Sequence, residues 1–297
     1  MSTNQPNNTV ENLSVHFPPD RAGNARFALL LNNVFSPDEC QELIDRSEAK
    51  GFGQALVNTG GTSQRLMTDY RNSGRCILFD PLFAEVLYQR VLAAVKGTGY
   101  EDMIAKAPWV PSWKCENYAV GCNERLSFLR YDPGHYFKPH FDGMYRRTEG
   151  PRSGDMSFVT VQLYLNEGFR GGATTFFRTE NEERAVKVVP KTGSVLLFEH
   201  QLLHEGSELI EGRKYAMRTD ILYTRKGPGH EYSRDTAGLS FSEPAGGNSK
   251  VPPRPSRSRK NDDNDDSGGR GDRCSDGSGE KDTNSVKEGA QRRLDFS

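Results

Sequence analysis

The chain has little that would tie it to an oxidising compartment, a membrane or a polyanion. It holds five cysteines in 297 residues, an odd and scattered set (Cys40, Cys76, Cys115, Cys122, Cys274) without a Cys-x-x-Cys pair. That spacing argues against a disulfide framework and against a structural zinc site. No run approaches the ~18 apolar residues that a membrane span needs. The first residues, Met1-Ser2-Thr3-Asn4-Gln5-Pro6, offer neither a basic nor an apolar signal region, so the expectation is an intracellular protein, cytoplasmic or nuclear. Nor is there an excess of charge: 39 basic and 40 acidic residues leave a formal net charge of −1 and a pI near 6.6. A global electrostatic case for nucleic acid or an anionic surface is therefore missing, although a local basic groove stays open. With 34% hydrophobic residues and a mean hydropathy of −0.73, a sizeable part of the chain is expected to stay outside any core.

What is present sorts into three stretches. Residues 1–23 are rich in Asn, Pro and Ser and are expected to be disordered, apart from a clip by Val15-His16-Phe17. Residues 24–234 carry the periodic pattern of a folded domain. Residues 235–297 combine Ser-Arg-Ser-Arg-Lys, Asp262-Asp263-Asn264-Asp265-Asp266 and Gly-rich segments with almost no apolar residues, which reads as a solvated tail. Its stretch from Arg254 to Lys260 has the composition of a nuclear-import or RNA-contact segment.

Within the domain, residues 27–97 read as helical support. Phe27 to Leu31 is a short apolar strand. Ser36-Pro37-Asp38-Glu39 then starts a helix with an N-cap, a proline at the first position and a capping box. Cys40, Leu43 and Ile44 make its buried stripe, so Cys40 is expected in the core. Residues 53–75 lack a sustained period and read as a long loop. Asp80-Pro81 opens a second helix, with Leu82, Phe83, Val86, Leu87, Val91 and Val95 on its apolar face.

From Leu126 the period becomes that of strands: Leu126–Tyr131, Tyr136–His140, Ser157–Leu165, Ala173–Phe177, Ala185–Val189, Val195–Phe198 and Tyr215–Tyr223. Short strands without intervening helices point to an antiparallel two-sheet sandwich of the jelly-roll kind, spanning about residues 113–225. The fold class is thus mainly β with supporting helices.

The stretch richest in chemistry is Arg130 to Gly143, with His140 and Asp142 two residues apart. On an extended strand both would leave the same face, where an imidazole and a carboxylate can reach one ion. With six His and 19 Asp, roughly 0.4 such pairs arise by chance, so His-x-Asp by itself says little. A third ligand from Phe198-Glu199-His200-Gln201-Leu202-Leu203-His204, either His200 or His204, would complete two histidines and a carboxylate, the set that suits non-haem Fe(II) oxygenases. His135 is a lesser candidate, expected in the Pro133-Gly134 turn. Lys214 and Arg218 are four apart, hence on one strand face. Either could grip an anion, and the guanidinium fork favours a carboxylate.

Context adds a resemblance. Arg130-Tyr131-Asp132-Pro133-Gly134 precedes the pair. Tyr164-Leu165-Asn166 and Gly171-Gly172-Ala173-Thr174-Thr175-Phe176 follow it, and Lys191-Thr192-Gly193-Ser194 and Gly212-Arg213-Lys214-Tyr215 flank the distal histidine. Over about residues 27–225 this pattern resembles the prolyl 4-hydroxylase-like family of 2-oxoglutarate- and Fe(II)-dependent dioxygenases. The resemblance implies a double-stranded β-helix with the metal at its open end. It implies His140, Asp142 and His204 as Fe(II) ligands and catalytic residues, since the family's ligand His is followed at two by Gly, here Gly206. It also implies Lys214, with Tyr131, on the far carboxylate of 2-oxoglutarate; Arg218 is the competing anchor.

The implied activity is hydroxylation of a C–H bond with O2 as co-substrate and ascorbate as the rescuer of oxidised iron, first on a prolyl residue of an intracellular protein. Two other readings stand beside it. One is an oxidative demethylase of nucleic acid or protein, for which Tyr145-Arg146-Arg147 is the one hint. The other is an inactive jelly-roll binding module.

Overall fold

The structure is a computed structural model that describes residues 8–20, 23–58, 63–108, 110, 117–178 and 186–225; all of them lie in the first of two units, Met1–Arg234. The tail, Cys115, Cys274 and the alanine expected to open the fifth strand fall outside the described residues.

Two antiparallel sheets form a jelly roll. The larger runs in the order Thr9–Asn12, Ala28–Asn32, Val195–Glu199, Met156–Tyr164, Lys214–Thr224, Arg125–Tyr131, Gly74–Phe79, Gly53–Gln54, and Tyr118–Cys122 also pairs with Lys214–Thr224. The smaller runs Val186–Val188, Thr174–Phe176, His204–Gly206, Tyr136–His140, Arg71–Asn72. Central strands of the larger sheet are covered on both faces, which is why their sequences are near-continuous apolar runs. Leu29, Leu31, Val195 and Leu197 pack outward with the helices, while the alternate residues Ala28, Leu30, Leu196 and Phe198 pack inward with Tyr164 and Phe176.

Helix α1, Pro37–Lys50, starts as its sequence requires. The Glu39 amide donates to Ser36 Oγ at 3.2 Å and the Ser36 amide donates to Glu39 Oε2 at 2.9 Å, so both halves of the capping box are made. Its buried stripe is Cys40, Leu43, Ile44 and Ser47, with Leu43 and Ile44 each contributing ~1.5–3 kcal/mol of burial. Cys40 is a core residue as expected, its thiol pushed up to about 12 by burial. Helix α2, Pro81–Val95, is capped by Asp80, whose carboxylate accepts the Phe83 amide at 2.9 Å. Arg90, in the second half of α2, forks onto both oxygens of Glu39, tying that helix to the start of α1.

Four expectations are corrected. Thr9–Asn12 pairs with Ala28–Asn32 as the outer strand of the larger sheet, so the disorder read from composition over residues 1–23 does not hold there. Val10, opposite Leu31, packs against the helix-covered core, and the strand's pairing outweighs the polar average. Within 53–75 the backbone makes short ladders, Gly53–Gln54 with Gly74–Arg75 and Val57–Asn58 with Gln64–Arg65. Helical support is likewise incomplete for residues 27–97, because Gly74–Phe79 is a full strand of the larger sheet. On α2 the buried face is Ala84, Leu87, Val91, Ala94 and Val95; Leu82 and Val86 are 53% and 43% exposed, since two alanines allow the helix closest approach to the sheet on the other side.

Candidate metal and 2-oxoglutarate site

His140 ends the Tyr136–His140 strand and His204 begins His204–Gly206, and the two are direct cross-strand partners. Such pairs bring Cβ atoms to ~5 Å, and here the ring centroids lie 4.3 Å apart. Asp142 does not share the strand with His140, contrary to the expectation. It lies two residues on, where the chain has left the sheet and the Asp142 amide donates to the His200 carbonyl at 3.1 Å. The convergence survives because the carboxylate still reaches both imidazoles. His140 Nε2 is 3.9 Å from Asp142 Oδ1 and His204 Nε2 is 3.7 Å from Oδ2. One donor atom from each of the three lies within 4.8 Å of the others.

The protonation pattern follows from the outer contacts. His140 Nδ1 donates to the Lys138 carbonyl at 2.7 Å and His204 Nδ1 donates to the Leu202 carbonyl at 2.9 Å. Each ring therefore carries its proton on Nδ1 and turns the Nε2 lone pair toward Asp142, the arrangement that orients metal-binding histidines. Burial pulls His140 down to about 3, helped by His204, and burial lowers His204 as well. Burial works to raise Asp142, but Arg218, then His204 and His140, hold its carboxyl well below the usual range. Two neutral imidazoles and one carboxylate present a net −1 donor set, which fits a divalent cation.

His200 does not join them. It is buried, its Nε2 faces Asp220 Oδ1 at 3.4 Å, and only its carbonyl touches the cluster, through Asp142. His135 sits in the turn, where its Nδ1 accepts the Asp132 amide at 3.1 Å.

The triad lines a cavity of about 110 Å³ between the sheets. Lys214 and Arg218 both face it, but in different company. Lys214 is 3% exposed and donates to the Gly172 carbonyl at 2.6 Å, above the rings of Tyr131 and Tyr164. Gly172 takes φ +66°, a left-handed conformation that glycine adopts at little cost, and this aims its carbonyl at the ammonium. No carboxylate pairs with Lys214 among the described residues, and burial pulls its ammonium down to about 7. Arg218, by contrast, bridges Asp142 Oδ1 at 3.0 Å and Asp220 Oδ1 at 3.1 Å and donates to Thr160 Oγ1 at 3.2 Å. Tyr131, directly opposite Lys214 across the strands, is buried beside it. Tyr145-Arg146-Arg147 offers less than its sequence suggested, since Arg147 is tied to Glu124.

Residue patterns did not mark Thr160, which donates to Asp142 Oδ2, or Arg71, Arg75 and Arg125 in the same lining. Three arginines on separate short strands carry no spacing signal.

A jelly roll with two histidines and a carboxylate open to a cavity is the architecture of a non-haem iron oxygenase. Residues 126–219 match the family model described as the 2OG-Fe(II) oxygenase superfamily. Among curated relatives, prolyl 4-hydroxylase 1 of Arabidopsis thaliana is 26% identical over 207 residues, covering 63% of this chain and 66% of the relative. Prolyl 4-hydroxylase 2 of the same plant is 29% identical over 207 residues, covering 60% and 61%. The chain thus spans less than two thirds of the length of either. A viral collagen prolyl hydroxylase from Paramecium bursaria Chlorella virus-1, solved with 2OG, overlays with a TM-score of 0.43 at 20% identity, over 66% of this chain and 96% of that one. Over residues 126–219 the chain is thus similar to the 2OG-Fe(II) oxygenase superfamily, and over a longer stretch to prolyl 4-hydroxylases.

Proposed function

We propose that the protein is a 2-oxoglutarate- and Fe(II)-dependent dioxygenase that hydroxylates a C–H bond of a polypeptide, a prolyl residue first. The observation that carries this is the juxtaposition, in one cavity, of the Nδ1-anchored triad with a buried lysine that has no acidic partner among the described residues. Fe(II) held by His140, Asp142 and His204 would supply the oxidation, in which O2, 2-oxoglutarate and the substrate C–H give succinate, CO2 and the C–OH product.

The chain's own residues supply geometry, charge and dryness. The carbonyls of Lys138 and Leu202 hold both imidazoles in the ligating tautomer. Thr160 and Arg218 hold Asp142 in its rotamer from two sides. Lys214 serves as the anchor for the far carboxylate of 2-oxoglutarate, with Tyr131 beside it, because a buried ammonium needs an anion that none of the described residues provides. Arg218 is already occupied by two carboxylates and so acts on the metal side of the cavity. Ascorbate serves as reductant for iron oxidised without substrate. Prolyl 4-hydroxylase relatives support the substrate class, and the complete donor set supports an enzyme over an inactive module.

Iron stoichiometry and succinate release from 2-oxoglutarate test the reading. Wild type and His200→Gln bind one iron and release succinate, whereas His140→Ala and His204→Ala do neither. Succinate release by both alanine variants would sink the triad.

A further inference from the structure

The anion sites used so far leave a second group of cations unexplained. The chain crosses from the smaller sheet, Arg71–Asn72, through Ser73 into the larger sheet, Gly74–Phe79. Arg71 and Arg75 therefore enter the same cavity from facing sheets. Arg125 joins them from the next strand, two residues before Ser127 and four before Leu129, which line the cavity with it. Arg75 and Arg125 lie toward one edge of the larger sheet, and Arg71, on the end strand of the smaller sheet, feels the charges of Tyr131 and Asp142. Among the described residues none of them pairs with a carboxylate. Arg71 stacks over the Phe137 ring at 4.5 Å and reaches only Ser73 Oγ, at 3.4 Å. Arg75 donates to the neutral Gln64 amide oxygen at 3.2 Å. Burial, then the charges of Arg71 and Arg125, pull Arg75 down to about 10, so Arg75 feels both neighbours. Like charges gathered in a concave, partly desolvated lining are costly in the free protein, and an anion relieves that cost.

We infer that Arg71, Arg75 and Arg125 form a substrate-recognition wall for an acidic polypeptide, holding Asp or Glu side chains next to the residue that is hydroxylated. This rests on the oxygenase reading for the hydroxylation and on the wall alone for the charge preference. A peptide is favoured over nucleic acid by its surroundings: the segment leading into Arg71 exposes Leu66 and Met67, and the segment after His140 exposes Phe141 and Met144. Apolar side chains beside the cations suit a chain carrying mixed side chains.

The test is fluorescence anisotropy on the full chain without metal, using labelled nonapeptides with a central proline flanked on each side by two Glu, two Gln or two Lys, and an oligothymidylate of 12 nucleotides. The Glu peptide should bind about ten- to a hundredfold tighter than the Gln peptide, the Lys peptide more weakly than either, and the oligonucleotide more weakly than the Glu peptide. Arg75→Gln/Arg125→Gln should abolish the Glu preference at an unchanged melting temperature; Arg125→Glu, at an exposed position, gives the same answer if the double variant unfolds. Equal affinity for Glu and Gln peptides, a preference that survives these variants, or tighter binding of the oligonucleotide would each overturn the inference. Iron and succinate assays are separate, so their failure would remove the oxygenase and leave the wall, while charge-blind binding would remove only the wall.

Discussion

Lys214 has a dual character at the scale of one residue. Its value near 7 in the folded, ligand-free chain lies below the ordinary 10.5, so between those values the folded state binds fewer protons than the unfolded one. Stability then rises with pH from about 7 to about 10.5, and the cost of the buried ammonium is full below pH 7. Lys214→Met should therefore raise the melting temperature of the ligand-free protein at pH 6–7 and flatten its rise with pH. The same change removes a charge-assisted contact, raising the 2-oxoglutarate requirement about ten- to a hundredfold with iron binding retained. Arg218→Met should do the reverse, disturbing iron binding through Asp142 while the 2-oxoglutarate requirement stays near the wild-type value. Titrating 2-oxoglutarate against both iron-loaded variants checks this; a loss confined to Arg218→Met would make Arg218 the anchor.

Among the elements, α1 and the segment leading into it are held at two points. The first is Glu39, lowered to about 2 chiefly by Arg90, with Ser36 assisting. Its contribution is present above about pH 4.5 and is lost as pH falls toward 2. Glu39→Gln should lower stability at neutral pH by ~1 kcal/mol or less, because the pair is partly solvated, and should remove that acid slope from a melting series. The second is Gly193, at φ +76°, whose carbonyl accepts the amides of Val34 and Phe35 at 3.0 and 3.1 Å. A Cβ there would sit 1.9 Å from the Phe35 carbonyl oxygen. Gly193→Ala should cost ~3 kcal/mol or more by denaturant unfolding, since the obstructing atom is backbone and both strand and helix must shift. An unchanged midpoint would show that this joint relaxes freely.

Taken as a whole molecule, the described residues contain no helix long and apolar enough to cross a membrane. We propose that residues 235–297 contribute nothing to the folding of the domain. A chain ending near Arg234 should melt within a degree or two of the full chain, and a large fall would show that the tail docks.

Much of this architecture was set by local pattern. Ser36, Pro37 and Glu39 specify a helix start within four residues, and period-two runs such as Tyr136–His140 specify strands, because these signals act between near neighbours. The pairing of His140 with Asp142 was legible in the motif, whereas the choice of His204 over His200 and of Lys214 over Arg218 came from the family resemblance. What only the tertiary structure decided are the pairings between distant segments. Composition could not place Thr9–Asn12, because a polar strand is ordered by its partner's hydrogen bonds. Motif spacing could not show that Asp142 turns back from outside the strand, or that Arg218 is consumed by Asp142 and Asp220 while Lys214 keeps only a carbonyl. Nor could it gather Arg71, Arg75 and Arg125. Charge proximity depends on which strands face each other, and that is a property of sheet topology with no trace in spacing along the chain.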